Sequence, residues 1–455
     1  MVGLLLAPTT PALGQAWLQA RDEEGAGIRA GDFELHPGIG VLGGYESNPF
    51  FRDDNDPSGV DDQVGPEGAA SLRVSPHIDF STLSTRRRQE GDEEVQLPAI
   101  DFRGGLSYIF TKFFIEGDGT ATHEGRLDLN ETFLPERPFS LAMVQELSRS
   151  RIPVQGASQA NTHVGAGITP QLSTPGGLLK GRMGYKFAFD DFTDSANNNL
   201  NHLFMEHLSW EFLPKTALFE EIEVGLQSFP NVEASDFGVG GTVSTDKNDI
   251  TRVTGRGGVN GALTKQIAMT LSAGITSAFV DGADDNKAPI AQAQLRWRPT
   301  PTYRMSVEGS YSNQNALQGN TVTRIGGGLK AELTVGGAGV LRALGKLESM
   351  RYGDDVAQLT LRRDEVPTVD MFRSGSLADA ASTDPRSDLK VTLEASGEYR
   401  FATWLAMTLE LSYVVNSSDY HFVNVLELSD GTREAVLNSA AYENLRFYAG
   451  LRAFL

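Results

Sequence analysis

The sequence predicts an all-β chain: a transmembrane antiparallel up-and-down β-barrel of about 18 strands, with short periplasmic turns and long extracellular loops. Three observations predict it. In the last stretch, YENLRFYAGLRAFL, residues Leu445, Phe447, Ala449, Leu451, Ala453 and Leu455 are apolar at every second position. Asn444, Arg446, Tyr448, Gly450 and Arg452 alternate with them, and successive side chains of a strand point to opposite faces. The pattern recurs in segments of about fourteen residues, longer than the roughly 5–6 of a soluble strand and enough for a tilted spanning strand of about 9–11. Short turns and long loops also alternate along the chain, which sorts them to opposite ends of a barrel.

Residues 1–16 read as a signal-peptide remnant, with an apolar run from Val2 to Ala7 and small residues at Ala12, Gly14 and Ala16. Residues 17–32 are polar and form a periplasmic lead-in; residues 33–455 form the barrel. The first strand places Phe33, Leu35, Ile39, Val41 and Tyr45 on one face, and an acidic loop follows to Glu67. The return strand shares Leu72, Val74, Pro76, Ile78 and Phe80, and STRRRQEGDEE is a charged connection. Strands then run at 100–113, 119–134, 139–154, 162–172, 178–192, 200–213, 217–229, 250–263 and 267–280. The remainder lie at 289–298, 303–315, 321–335, 340–352, 389–401, 405–416 and 442–455. Gly, Pro, Asn and Asp mark the turns between them, as in LPERP, STPGG and PTPT. The longest loop, 353–387, has room for a lid or plug, and HFVNVLEL-SDGT-REAVL reads as an external hairpin. Aromatics near strand ends, among them Tyr45, Tyr108, Phe192, Trp210, Trp297, Tyr352 and Trp404, are expected in interfacial girdles.

Composition narrows the classes. No apolar run approaches the roughly 18 residues of a spanning helix, and the net charge of −20 argues against a nucleic-acid binder. Much of the acid sits in connections, such as Asp53, Asp54, Asp56, Asp61 and Asp62, where it reads as solvated loop. The absence of Cys suits an export route through an oxidising compartment.

If the apolar positions touch lipid, the others line the lumen. That face carries Arg252, Arg256, Arg296, Arg298, Arg304, Arg324, Lys390, Arg400, Arg446 and Arg452, with Glu394, Glu398 and Glu410. With Lys180, Arg182, Lys186, Lys330, Arg342 and Lys346 added, and Glu221, Glu223, Glu308, Glu332 and Glu348 opposing, the lining reads as mildly basic. A basic lining favours an anionic solute, unless the charges neutralise each other across strands. Catalysis has little support. The pairs His123–Glu124 and Glu206–His207 point to opposite faces of a strand, and no HExxH, G-x-S-x-G or Walker loop occurs. Asp419 and His421 with Ser417 and Ser418 are the one hydrolase-like cluster. No metal site or cofactor motif is found, and the Asn130-Glu131-Thr132 sequon falls within a strand.

The segment FELHPGIGVLGGYESNPFFRDD, followed by ASLRVSPHIDFSTLS, resembles the β-barrel porin 2 family, exopolysaccharide-export outer-membrane barrels of the myxobacterial type. Tyr45, Ser47 and Asn48 match its Tyr-Asp-Ser-Asn turn, with Glu46 in place of Asp, and Leu455 replaces the usual final Phe. RPFSLAMVQELSR and LPKTALFEE also look like stretches of its myxobacterial members. The resemblance implies a non-enzymatic conduit in the bacterial outer membrane, bathed in outer-membrane lipid and passing a polysaccharide. Its implied partner is a periplasmic polysaccharide export protein of a Wza-like pathway. A general diffusion porin and a surface scaffold or adhesin are the alternative readings.

Overall fold

A computed structural model describes residues 27–49, 68–82, 99–115, 120–135, 137–154, 157–193, 198–230, 235–236, 242–243, 249–281, 285–316, 321–353, 360–362, 386–418, 420–427 and 433–455. The proposed signal remnant, the acidic run at 53–62, the charged stretch at 84–94 and most of the 353–387 loop lie outside these residues.

Eighteen antiparallel strands close on themselves. They begin with β1 (Phe33–Glu46), β2 (Ala69–Thr82), β3 (Ile100–Phe114), β4 (Ala121–Phe133), β5 (Phe139–Val154) and β6 (Ala157–Ser173). Next come β7 (Leu179–Phe192), β8 (Asn199–Leu213), β9 (Thr216–Ser228), β10 (Ile250–Ala262), β11 (Ile267–Val280) and β12 (Asn286–Thr300). The last are β13 (Tyr303–Asn315), β14 (Thr321–Val335), β15 (Gly339–Tyr352), β16 (Ser387–Ala402), β17 (Leu405–Ser418) and β18 (Tyr442–Phe454). Each pairs with its neighbours in sequence, and β1 pairs with both β2 and β18, so no long edge is left open.

Alternation decides which way each side chain points. Ile39 and Val41 of β1 are 46% and 45% exposed, whereas Leu42 between them is 3% exposed. The exposed face continues around the barrel through Leu106, Leu147, Met183, Phe204, Ile222, Ile275, Val307, Leu347, Leu393 and Leu451. Exposed apolar side chains on seventeen of the eighteen strands, with Leu127, Leu129 and Phe133 half-buried on β4, make a belt whose solvent is lipid. Backbone polar groups at that depth are satisfied within the sheet. This barrel therefore sits in the bacterial outer membrane, the setting of such closed antiparallel sheets.

Both ends of the barrel chain, Phe33 and Phe454, lie at the end that carries the tight turns 214–215, 301–302, 336–338 and 403–404. The opposite end carries the connections 229–249, 353–386 and 419–441. The sorting is partial: the loop end also carries the short connections 115–120, 193–198, 281–285 and 316–320, and two more connections depart from it outright. Residues 83–99 form a long one at the tight-turn end, and β5 and β6 meet across residues 155–156 at the other. There the register runs on to Val154 opposite Ala157, so the strands themselves project where a loop was expected. The predicted external hairpin forms, Tyr420–Glu427 against Arg433–Ser439, and Thr360–Arg362 from the longest loop adds a third strand to it.

The lead-in also differs from its polar reading. Ile28–Ala30 is a short strand that turns at Gly31 and Asp32 and pairs with β1, Ile28 opposite Leu35. It lies along the part of β1 that β18 does not reach, because the β18 register ends with Gly38 opposite Phe454. Phe192 and Tyr352 correct the girdle expectation. Phe192 is buried on the inner face, and the Tyr352 ring lies under Arg386, 4.4 Å from the guanidinium carbon to the ring centroid. Tyr45, Tyr108, Trp210, Trp297 and Trp404 are exposed, and Trp297 meets Tyr303 edge to face.

Candidate functional site: the inner wall

The concave face is identified by contacts that span several strands. Arg73 of β2 reaches Glu410 of β17 across β18 and β1, with Nη1 3.2 Å from Oε2. Arg252 of β10 reaches Asn313 and Asn315 of β13 across β11 and β12. Side chains three strands apart can meet only inside the curve.

The residues predicted for the lining share this face, and most are held by a partner. Arg256 pairs with Glu221, which also meets His207 Nδ1 at 3.3 Å, while the His207 ring stacks on Phe219. Glu398 receives Arg400 Nε at 3.1 Å and Arg452 Nη1 at 2.8 Å. Arg304 and Arg342 both approach Glu332, at 3.7 and 3.2 Å. Arg296 donates to Gln294 of its own strand at 2.9 Å, and Arg298 lies exposed at the tight-turn end. Lys390 lies in register with Glu348 and Asn416. Glu394, Ser412 and Arg446 form one inward row across β16, β17 and β18. In that row Glu394 Oε1, Ser412 Oγ and Arg446 Nε are buried without hydrogen-bond partners, as is Arg324 Nε on β14.

The lining is not a basic ring. The expected lining charges all lie from Lys180 onward, and the earlier strands supply further acid. Glu46, Glu124, Asp128 and Glu146 face inward on β1, β4 and β5, with Arg73 and Arg126 among them. His163 on β6 bridges two carboxylates, Nδ1 to Asp190 at 2.9 Å and Nε2 to Glu146 at 3.1 Å, while Lys186 closes on Glu146. The signal that would have found them is the same two-residue period, counted from the exposed apolar positions. Charge on the wall is thus largely paired, within a strand, across neighbouring strands and across as many as three.

Arg252 anchors a polar knot at the loop end of β9 to β14. It donates to Asn313 O at 2.6 Å, Asn313 Oδ1 at 3.0 Å and Thr276 Oγ1 at 3.5 Å, and also to Asn315, which donates to Gln227 at 2.6 Å. The knot exists because β13 leaves β12 after Tyr311, the last residue in register, while Asn313 and Asn315 stay paired with β14. Beside β16, Arg386 donates to Asp388 at 2.9 Å. Burial works against the Arg386 charge, but neighbouring Tyr352 and Asp388 outweigh it and raise its pKa.

The hydrolase-like cluster does not assemble within the described side chains. Ser418 is buried opposite Asp388, His421 lies in the external hairpin, and Asp419 is outside the described residues. His123 faces out and Glu124 in; Glu206 faces out and His207 in.

No family model matches the chain, and no curated protein matches it. Among solved structures it is similar to the siderophore receptor PirA from Pseudomonas aeruginosa, at 8% identity and a TM-score of 0.42, over 92% of this chain and 80% of that one. The FrpB iron transporter from Neisseria meningitidis (F3-3 variant) gives 8% and 0.43, over 97% and 83%. OpdQ from Pseudomonas aeruginosa gives 7% and 0.41, over 92% and 98%. The closed sheet, its lipid belt and its polar interior make this chain an outer-membrane β-barrel.

Proposed function

We propose that this barrel is the outer-membrane conduit for a secreted polysaccharide, fed by a periplasmic polysaccharide export protein in a Wza-like pathway. The observation that carries the reading is the pairing of charge on the inner wall. A polymer crossing it meets hydroxyls, amides and neutralised ion pairs, each a weak and replaceable contact, and among the described residues no strong ring that would hold an ion of one sign. Arg252, Arg256, Arg296, Arg298, Arg304, Arg324, Lys390, Arg400, Arg446, Arg452, Glu394, Glu398 and Glu410 line that path. The resemblance of FELHPGIGVLGGYESNPFFRDD to the opening of exopolysaccharide-export barrels supports the same reading. Deleting the gene and measuring surface polysaccharide tests it. Loss of surface polymer with precursor retained inside is expected. A normal coat, together with high conductance of the purified barrel in planar bilayers, would assign a general diffusion porin instead.

A further inference from the structure

The outer face carries a polar notch in the extracellular half of β3, β4 and β5. In register across these strands, Tyr108 lies opposite Gly125, and Gly125 lies opposite Arg149. One row nearer the loops, Phe110 lies opposite His123. All belong to the lipid-facing set that includes Leu106 and Leu147, and Tyr108, His123 and Arg149 are exposed. Gly125 leaves a gap between the flanking side chains; a methyl group placed there would come no closer than 3.6 Å to its surroundings. The Arg149 guanidinium makes no hydrogen bond or ion pair among the described residues. No carboxylate faces outward in this half of the three strands among the described residues.

Tyr108 and His123 are joined through the phenol oxygen and Nδ1. Whichever atom carries the shared proton, the pair keeps one donor for a ligand: Nε2–H if the phenol donates, or the phenol O–H if Nδ1–H donates. A lone guanidinium on a lipid face is costly unless it reaches a headgroup, and a fork of N–H donors beside a second donor suits phosphate oxygens. A second Tyr–His pair supplies an internal comparison. Tyr185 and His202 face lipid on β7 and β8 with the phenol oxygen 2.8 Å from Nδ1, and no cation accompanies them on the outer face of these two strands.

We propose that Arg149, His123 and Tyr108 bind a phosphate of an outer-leaflet glycolipid in the notch over Gly125. The site is on the outside of the wall and is independent of what passes through the lumen. Native mass spectrometry of the purified barrel tests it, with bis-phosphorylated lipid A, its dephosphorylated form and inorganic phosphate as probes. The wild type is expected to retain bis-phosphorylated lipid A, and Arg149→Gln to lower its occupancy about tenfold, the loss of one charge-assisted contact. Arg149→Lys is expected to keep most of the occupancy, and the Tyr185→Phe, His202→Gln double variant all of it. Equal retention of dephosphorylated lipid, unchanged occupancy in Arg149→Gln, or displacement of the lipid by inorganic phosphate would overturn the proposal. Heat-dependent migration in gels reports whether each variant has folded. If the arginine variants do not fold, Gly125→Leu fills the notch from the next strand, and undiminished retention there would overturn it as well.

Discussion

The Arg73 guanidinium lies 3.7 Å from the centroid of the Tyr448 ring, at the seam where the first and last barrel strands meet. Tyr448 is 2% exposed and donates its hydroxyl to Glu46 on β1, while Ser71 on β2 donates back to it at 2.9 Å. Arg73 in turn approaches Glu46 at 3.7 Å and Glu410 at 3.2 Å. One aromatic ring thus joins β18, β1 and β2, and the guanidinium above it extends the link to β17.

Removing only the hydroxyl leaves the half of Glu46 it satisfied without a donor. Tyr448→Phe is expected to cost about 1–3 kcal/mol, and Tyr448→Ala about 3–5 kcal/mol. Urea unfolding in lipid vesicles measures both. Pairing each with Arg73→Ala should show a coupling of about 0.5–3 kcal/mol, since the two groups share partners.

The same seam needs glycine at position 450. A methyl carbon built there would fall 2.6 Å from Leu42 Cα on β1, a backbone atom that cannot yield without opening the strand pair. Gly450→Ala is expected to lower the folded fraction in refolding assays. Gly43→Ala, with nothing within 4 Å on the lipid face, is expected to leave it unchanged.

Neighbouring positions on β13 test which face touches lipid. Val307 points outward and Ser306 inward. Val307→Arg is expected to destabilise the barrel by about 2–4 kcal/mol near the bilayer midplane, whereas Ser306→Glu, inward between Arg296 and Lys330, should be nearly neutral. Equal costs would contradict the assignment of faces.

Glu398 holds two arginines at once, so Glu398→Gln removes one negative charge from between Arg400 and Arg452. A shift of the reversal potential toward anion preference under a salt gradient is expected in planar bilayers. Arg252→Ala should act differently, removing the tie between β10 and the displaced end of β13. Faster hydrogen exchange at residues 312–316, with the rest of β13 unchanged, is the expected readout.

Strand count, order and facing were legible because a two-residue period survives wherever one side of a ribbon meets lipid, as along Leu405–Val415 and Leu389–Phe401. The interior was less legible for a specific reason. In β3, Ile109 and Phe113 face inward although apolar, and in β4 His123 faces outward although polar, so the early strands hide their parity. The lining read from later strands therefore missed Glu46, Glu124, Glu146 and His163, and its apparent basicity came from that omission. The Arg252 knot was out of reach for another reason. It depends on β13 parting from β12 after Tyr311, which brings together side chains three strands apart that residue spacing alone does not connect.

The short run Ile28–Ala30 occupies the stretch of β1 that the closing strand leaves vacant, and Leu455 and Gly27 meet where the two fillers abut, with Gly27 N 3.3 Å from Leu455 O. The hoop is therefore fastened by two segments more than four hundred residues apart in sequence, laid end to end along β1. Trimming residues 27–30 would bare a row of amides at the periplasmic lip, a ready template for a stray extended peptide. A purification tag fused just ahead of Phe33 would risk becoming that peptide.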